Sequence, residues 1–459
     1  MSTIALSKFL GGITFDSLPQ EAVESAKMCV EDLLGVALAG SVRPQGSIWR
    51  NYFSGKPAGG DATVWDGRLG RARCEDAAAL NAAYAHVIDM DDVHNSSITH
   101  MGAITIPAAL AVGQARHRTG RDVIAAIVAG YEIGARVGEA INPGAYHYWH
   151  TTGVVGSFSS AVAAGKLLGL NDEQLLSAIG SAGTQASGLW QFIQDGAMSK
   201  TLHTANATLC GIRSAELAGL GFTAARDILC GSRGLLGAMT AQNHPEALTQ
   251  GLDGSVYKIQ SNSFKPYACC RHTHSAGWCV ELLRRKHRFD PRDIVSITDS
   301  TYKVATDNVD DPSPATPYGY KFSVQYCIAA ALLWGGLGDD VFTEERTADP
   351  EALALMAKVQ VREDPRLEGM YQADHNQWPH RLEVELSDGT VLTEEVVYPF
   401  GDFNNPFDWK AVHDKFYSLT DGILPAADAE ALTRRIAALD QLRDVDDLFS
   451  DLLAAERGA

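Results

Sequence analysis

Two segments of this chain, Val155 to Leu168 and Ala205 to Ala218, are rich in alanine and only lightly charged. A helix without a broad polar face has to be covered on most sides, so these segments demand a body of further helices around them. Their small side chains also let neighbours come close. The surrounding sequence supplies the cover. Ser17-Leu-Pro19-Gln20 reads as a capping box with proline in the first turn, opening an amphipathic helix through about Leu38. Ile104 to Arg118 and Arg121 to Glu139 read as further helices. Asn171-Asp-Glu-Gln174 is a second capping box, placed just after a stop signal at Gly169.

After about Ser261 the pattern changes. His274 to His287 reads as a helix with a basic end and Phe322 to Trp334 as an apolar helix. Asp293 to Lys303, Lys358 to Arg362 and Arg381 to Leu386 alternate as half-exposed strands do, and Ser387-Asp388-Gly389-Thr390 is a hairpin turn into a return strand, Val391 to Val397. From Trp409 the chain returns to helix, with Glu430 to Leu453 long and amphipathic. At 459 residues the chain has room for roughly two or three domains. The expected fold is mainly α. A large all-helical domain spans residues 1–261, a smaller α+β domain spans 262–399, and a helical tail spans 400–459. The tail docks back on the first part, where its leucine and isoleucine stripe finds cover.

A formal net charge of −18 argues against nucleic acid as a partner and disfavours an anionic membrane. No apolar run reaches the 18 or so residues of a membrane span. Met1 to Lys8 lacks the basic start and apolar core of a secretory leader. The eight cysteines form no Cys-x-x-Cys pair, which fits reduced thiols in the cytoplasm. An anionic small molecule remains an acceptable substrate, provided its site is locally basic.

Candidate chemistry concentrates in four knots. In His86-Val-Ile-Asp89-Met-Asp91-Asp92-Val-His94-Asn-Ser-Ser-Ile-Thr-His100, acids and imidazoles crowd together where a helix gives way to a loop. General acid–base work is one reading, an oxygen-rich metal site a second, and a solvated helix end a third, though acids there oppose the helix dipole. Lys200 and His203 stand near the start of an Ala-rich helix, either as a carboxylate-binding corner or as a surface lysine beside a packed histidine. Lys265-Pro-Tyr-Ala-Cys269-Cys270-Arg271-His272-Thr-His274 falls at the expected domain junction. Anion binding by Lys265 and Arg271 with help from a histidine is the preferred reading there; a hinge is the alternative, and the spacing matches no standard zinc finger. His150 near another helix start and Tyr326 in Phe322-Ser-Val-Gln-Tyr326 are weak signals alone. No Walker loop and no GxGxxG after a strand is present.

Taken in order, Asp89-Met-Asp-Asp92 with His100, His150-x-Thr152-x-x-x-Gly156, Lys200-x-Leu-His203, Lys265-Pro-Tyr with His274, and Phe322-Ser-x-x-Tyr326 resemble the MmgE/PrpD family. That family includes 2-methylcitrate dehydratases, cis-aconitate decarboxylases and an iminodisuccinate epimerase. The resemblance runs from the Ser17 helix to Gly401-Asp-Phe-Asn-Asn-Pro406. It implies a helical domain built from both chain ends, a smaller lid domain, a homodimer, and catalysis without metal or organic cofactor. It points to Asp89, His100, His150, Lys200 and Tyr326 as catalytic, with His203, Lys265, Cys270, Arg271 and His274 around the substrate. Cys270 stands where the animal decarboxylases have a histidine, and Val93, Met101 and Thr204-Ala205 also depart from the family pattern. The expected activity is that of a metal-independent lyase on a small di- or tricarboxylate, most of all dehydration of a 2-methylcitrate-like acid. Epimerisation comes second and decarboxylation third, and a non-catalytic metabolite-binding scaffold is the reading outside enzymes.

Overall fold

The computed structural model describes residues 2–56, 59–68 and 70–450. Among them α-helix dominates, and the fold is mainly α. The two Ala-rich segments lie in the helices Thr151–Leu168 and Lys200–Gly219, which pack against each other. Gly211 explains how closely. A side chain there would run into the backbone of Ala161. Around this pair stand the helices Cys74–Ala85, Gly102–Ala115, Gly120–Ile141 and Asp172–Gly183.

Local signals set most of the boundaries. The Asn171 side chain accepts from Gln174 N, and Gly169 ends the preceding helix in the left-handed region at φ 73°. The expected cap at Ser17 does not form. Ser17 instead turns its hydroxyl to the Thr14 carbonyl at 2.7 Å, a single 3-10 turn intervenes, and the long helix runs Gln20–Ser41 from an uncapped Pro19.

The smaller α+β part carries a four-stranded sheet. Ile294–Thr301 pairs in parallel with Val359–Glu363 and antiparallel with His380–Leu386, which pairs in turn with Val391–Val396 through the turn at Gly389. The helices His274–Lys286 and Val324–Trp334 cover it, and their apolar faces form one core with Ile297, Leu382 and Val384. That core also takes in Val36, Ala39, Val87, Ile88 and Met90 from the N-terminal third, so the two parts meet beside the acidic loop.

The returning tail joins the other core. Val412, Phe416, Leu432 and Ile436 cluster with Leu33, Leu34 and Val123 of the helical body. Its long helix is interrupted, however. Helix Ala426–Ala437 ends at Ala438, and 3-10 turns follow at Leu439–Gln441 and Val445–Phe449. Backbone docking accounts for the break: Gly120 N donates to Leu442 O at 2.9 Å and Val445 N to Arg118 O at 2.8 Å, groups a continuous helix would have consumed internally. Residues 451–453 of the expected helix lie outside the described residues. No described helix is long and apolar enough to cross a membrane.

Candidate active site

Helix Cys74–Ala85 stops at His86, and the chain then makes a buried loop to His100. Two residues of this loop have positive φ, Asp89 at 56° and Ile98 at 50°. Aspartate tolerates that region; a β-branched side chain does so only at a cost of about 1–3 kcal/mol, which surrounding contacts must offset. The loop is pinned by a short antiparallel pairing of Val93–His94 with Asn262–Ser263. Asn95 adds a bond to Asp402 at 2.6 Å, so the returning chain also grips it.

Asp89 is fully buried between two ammonium groups. Lys200 Nζ donates to its Oδ1 at 2.7 Å and Lys265 Nζ at 3.1 Å, and Lys265 also reaches its carbonyl. Burial pushes this carboxyl up, but Lys200 and Lys265 outweigh it and hold the group well below the usual carboxylate range. Two ammonium groups against one carboxylate leave the spot with an excess positive charge. Asp91 is shared by imidazoles: both its oxygens lie 2.9 Å from His86 Nδ1, and Oδ2 lies 3.2 Å from His100 Nδ1. The carboxylate hydrogen-bonded at Nδ1 fixes the tautomer and orientation of His86, while His100 stands within ion-pair distance of it without a hydrogen bond. His86 stacks on His150 with centroids 5.8 Å apart, and burial brings it down to about 4. Burial, with His203 and Lys200 nearby, also keeps His150 well below the usual imidazole range, so its ring is neutral.

These groups surround a small, narrow cavity at the junction of the two parts. Asp89, His100, His150 and Lys200 line it from the helical side, and Cys270 and Arg271 from the other. Val93, Phe322, Trp190 and Trp378 give it apolar walls. Arg271 donates from Nη2 to Asp402 at 2.6 Å, while its buried Nε and Nη1 have no hydrogen-bond partner among the described residues. Burial pushes the Cys270 thiol up to about 12, so it stays protonated.

Six of the residues singled out in the sequence thus share one cavity. Lys265 stands behind Asp89, and His203 behind His150 at 2.9 Å between their Nδ1 atoms. Two fall elsewhere. Tyr326 is buried in the core of the α+β part, its hydroxyl spent on the Val341 carbonyl at 2.5 Å. His274 packs on Tyr267 and turns Nε2 toward the Cys269 carbonyl at 3.3 Å. Neither lines the cavity; both are packed in the core beside it. Conversely, sequence reasoning passed over Asp402, Trp190 and Trp378. Asp402 lay in a quoted motif, but nothing in the local pattern ties the tryptophans to the site.

Asp92 turns away from the cavity. It accepts from Tyr131 Oη at 2.9 Å and Asn262 Nδ2 at 2.7 Å, and burial together with Asp91 and Asp32 pushes it up to about 7. A carboxyl raised in the folded state contributes stability that is complete below the unfolded value near 4 and lost as pH rises through 7. Asp92→Asn removes that dependence. The variant should therefore gain on the parent between pH 5 and 7, with a slope approaching about 1.4 kcal/mol per pH unit. Urea melts at several pH values check it; a gap that stays constant with pH would refute it.

Comparison with known proteins adds the family. Residues 4–248 match the model of the MmgE/PrpD N-terminal domain, and residues 267–441 match that of the C-terminal domain. The chain belongs to the MmgE/PrpD family. Among its relatives in that family is the cis-aconitate decarboxylase of Aspergillus terreus (strain NIH 2624 / FGSC A1156), 27% identical over 97% of this chain and 95% of the relative. The human cis-aconitate decarboxylase is 25% identical over 96% of this chain and 92% of its own length. The mitochondrial 2-methylcitrate dehydratase of Yarrowia lipolytica is 37% identical, but over 24% of this chain and 22% of its own.

Proposed function

We propose that the chain is a lyase of small di- or tricarboxylates and that its reaction is dehydration of a 2-methylcitrate-like hydroxy acid through an enolate-like dianion. The observation that carries this reading is one buried cavity whose wall holds Asp89 and Lys200, with Lys265 behind that carboxylate and two separate imidazole centres beside it. Taking a proton from the carbon next to a carboxylate puts charge on that carboxylate's oxygens. Cations already in place, in a site poor in water, lower the cost of that charge. The unpartnered Nε and Nη1 of Arg271 suit a second carboxylate at the other wall.

Dehydration needs a base and an acid. His150 is neutral and its Nε2 has no partner among the described residues, so it serves as the base. His100, within 3.2 Å of the Asp91 carboxylate, hands a proton to the departing hydroxide. The reading needs no metal. Donor atoms of His86, Asp89, Asp91 and His100 do lie within 4.8 Å of one another. An ion drawn to them would have to compete with the two lysines on Asp89 and the two imidazoles on Asp91.

Decarboxylation is the second reading, favoured because the decarboxylase relatives span nearly the whole chain. Against it, the family resemblance puts Cys270 where the animal decarboxylases have a histidine, and a thiol pushed up to about 12 by burial is a poor proton donor. Incubation with 2-methylcitrate, citrate and cis-aconitate separates the readings. The expected result is an alkene absorbing in the near ultraviolet with loss of water, unaffected by EDTA. Release of CO₂ would establish decarboxylation, and solvent deuterium gained without loss of mass would establish epimerisation. Activity abolished by chelation and restored by a divalent ion would overturn the metal-free mechanism.

A further inference from the structure

We propose that His203 is the proton port of the cavity, passing protons between His150 and solvent. The assignment rests on the proton-transfer chemistry proposed above. His150 is 1% exposed, so a proton taken up on its Nε2 has no direct way out through its own surface. Base and acid end a dehydration in the wrong protonation states, and a decarboxylation consumes a proton from water. Either way the buried rings have to be reset every turnover.

The geometry supplies a route. His150 Nδ1 and His203 Nδ1 stand 2.9 Å apart, a hydrogen bond that requires a proton on one nitrogen and a lone pair on the other. On its far side His203 is half-buried and faces an open surface groove lined by Trp149, Leu189, Asp195, Leu202 and Asn206. Its place is kept clear by glycine. A Cβ at Gly188 would stand 3.3 Å from His203 Nδ1, and one at Gly153 would stand 3.0 Å from its Cβ. Gly188 itself has φ 132°, where other residues are strained. One hydrogen bond therefore separates the closed cavity from the groove.

The transfer balances. In the base form, His150 carries its hydrogen on Nδ1 and donates it to His203 Nδ1, leaving His150 Nε2 free. When Nε2 takes the substrate proton, the Nδ1 proton crosses to His203, and His203 releases its Nε2 proton to groove water. Inward delivery is the reverse and restores both starting tautomers: His203 gains a proton at Nε2, gives its Nδ1 proton to His150 Nδ1, and His150 returns its Nε2 proton to the cavity, where it reloads the acid that protonated the departing hydroxide. Lys200, His86 and His100 are the charged or titratable neighbours of His150, and burial with Lys200 also brings His203 down to about 4. Both rings are thus poor holders of a proton, and neither traps it.

Two measurements test the port. Exchange of the His150 ring proton with solvent, followed by NMR on protein with ¹⁵N-labelled histidine, needs no substrate. His203→Gln should slow it by at least about tenfold; equal rates in variant and parent would overturn the proposal. In turnover of 2-methylcitrate or cis-aconitate, His203→Ala should lower kcat by at least about tenfold, within the overall acid–base contribution of about 10²–10⁴, with KM little changed. Millimolar imidazole, small enough to enter the groove, should restore much of the loss. A role in packing alone would show no such rescue. A parent protein inactive on every polycarboxylate would sink the lyase reading, while the exchange measurement would still decide the port.

Discussion

Lys200→Ala is expected to lower kcat by about 10²–10³-fold, the usual cost of removing one preorganised donor from a developing oxyanion. The ammonium group is 3% exposed and 2.7 Å from Asp89, inside the cavity wall. With Lys265 still in place Asp89 remains paired, so the fold should survive, and the deficit belongs to the transition state rather than to folding. KM should change less than kcat, because the field matters most once charge has moved onto the substrate. Steady-state kinetics with a melting curve on the same preparation check this. Were Lys200→Ala to weaken ligand binding while a full rate persisted at saturation, the chain would be a metabolite binder of another kind and the lyase mechanism would fall.

Lys265→Met should act differently. Lys265 is fully buried and bonds both the carboxylate and the carbonyl of Asp89. Removing it takes from Asp89 its second cation and the contact to its carbonyl, and leaves the strained loop without that anchor. A loss of about 3–5 kcal/mol of stability is expected, on the scale of breaking a buried ion pair. Asp89→Asn alone leaves both buried ammonium groups unpaired, whereas in the double variant only Lys200 is left so, and the two losses should therefore sum to more than the loss of the double variant, while activity stays lost. Denaturant melts of the parent, the two single variants and the double variant form the cycle. If the two changes simply added, the pair would not be coupled and the arrangement at Asp89 would be wrong.

Much of the scaffold was readable from local chemistry. Gly169, Asn171 and the alternation on either side of Asp388 act within a few residues, and such signals survive folding. The Ser17 cap and the unbroken terminal helix failed for the opposite reason: Ser17 found a nearer acceptor in Thr14, and residues 439–445 gave up helical bonds to reach Arg118 and Gly120. At the candidate site, charged residues in knots were legible because burying them without partners would be ruinous, so they had to meet something. Which charge meets which was not. Nothing near Asp402 announces that it will hold Arg271 from 131 residues away. That Tyr326 packs against Phe342 away from the cavity was not legible either, since an aromatic inside a family motif looks the same in one dimension wherever it points.

The tail's return has a consequence for how the protein is made. Lys415 bonds Asp32 across 383 positions of sequence, and Asp402 closes on both Arg271 and Asn95. A nascent chain that has emerged only as far as residue 400 holds almost all of the candidate site's side chains, yet it lacks Lys415 and Asp402, the ion-pair partners of Asp32 and Arg271. The site's walls are therefore completed only when the last sixty or so residues have been made.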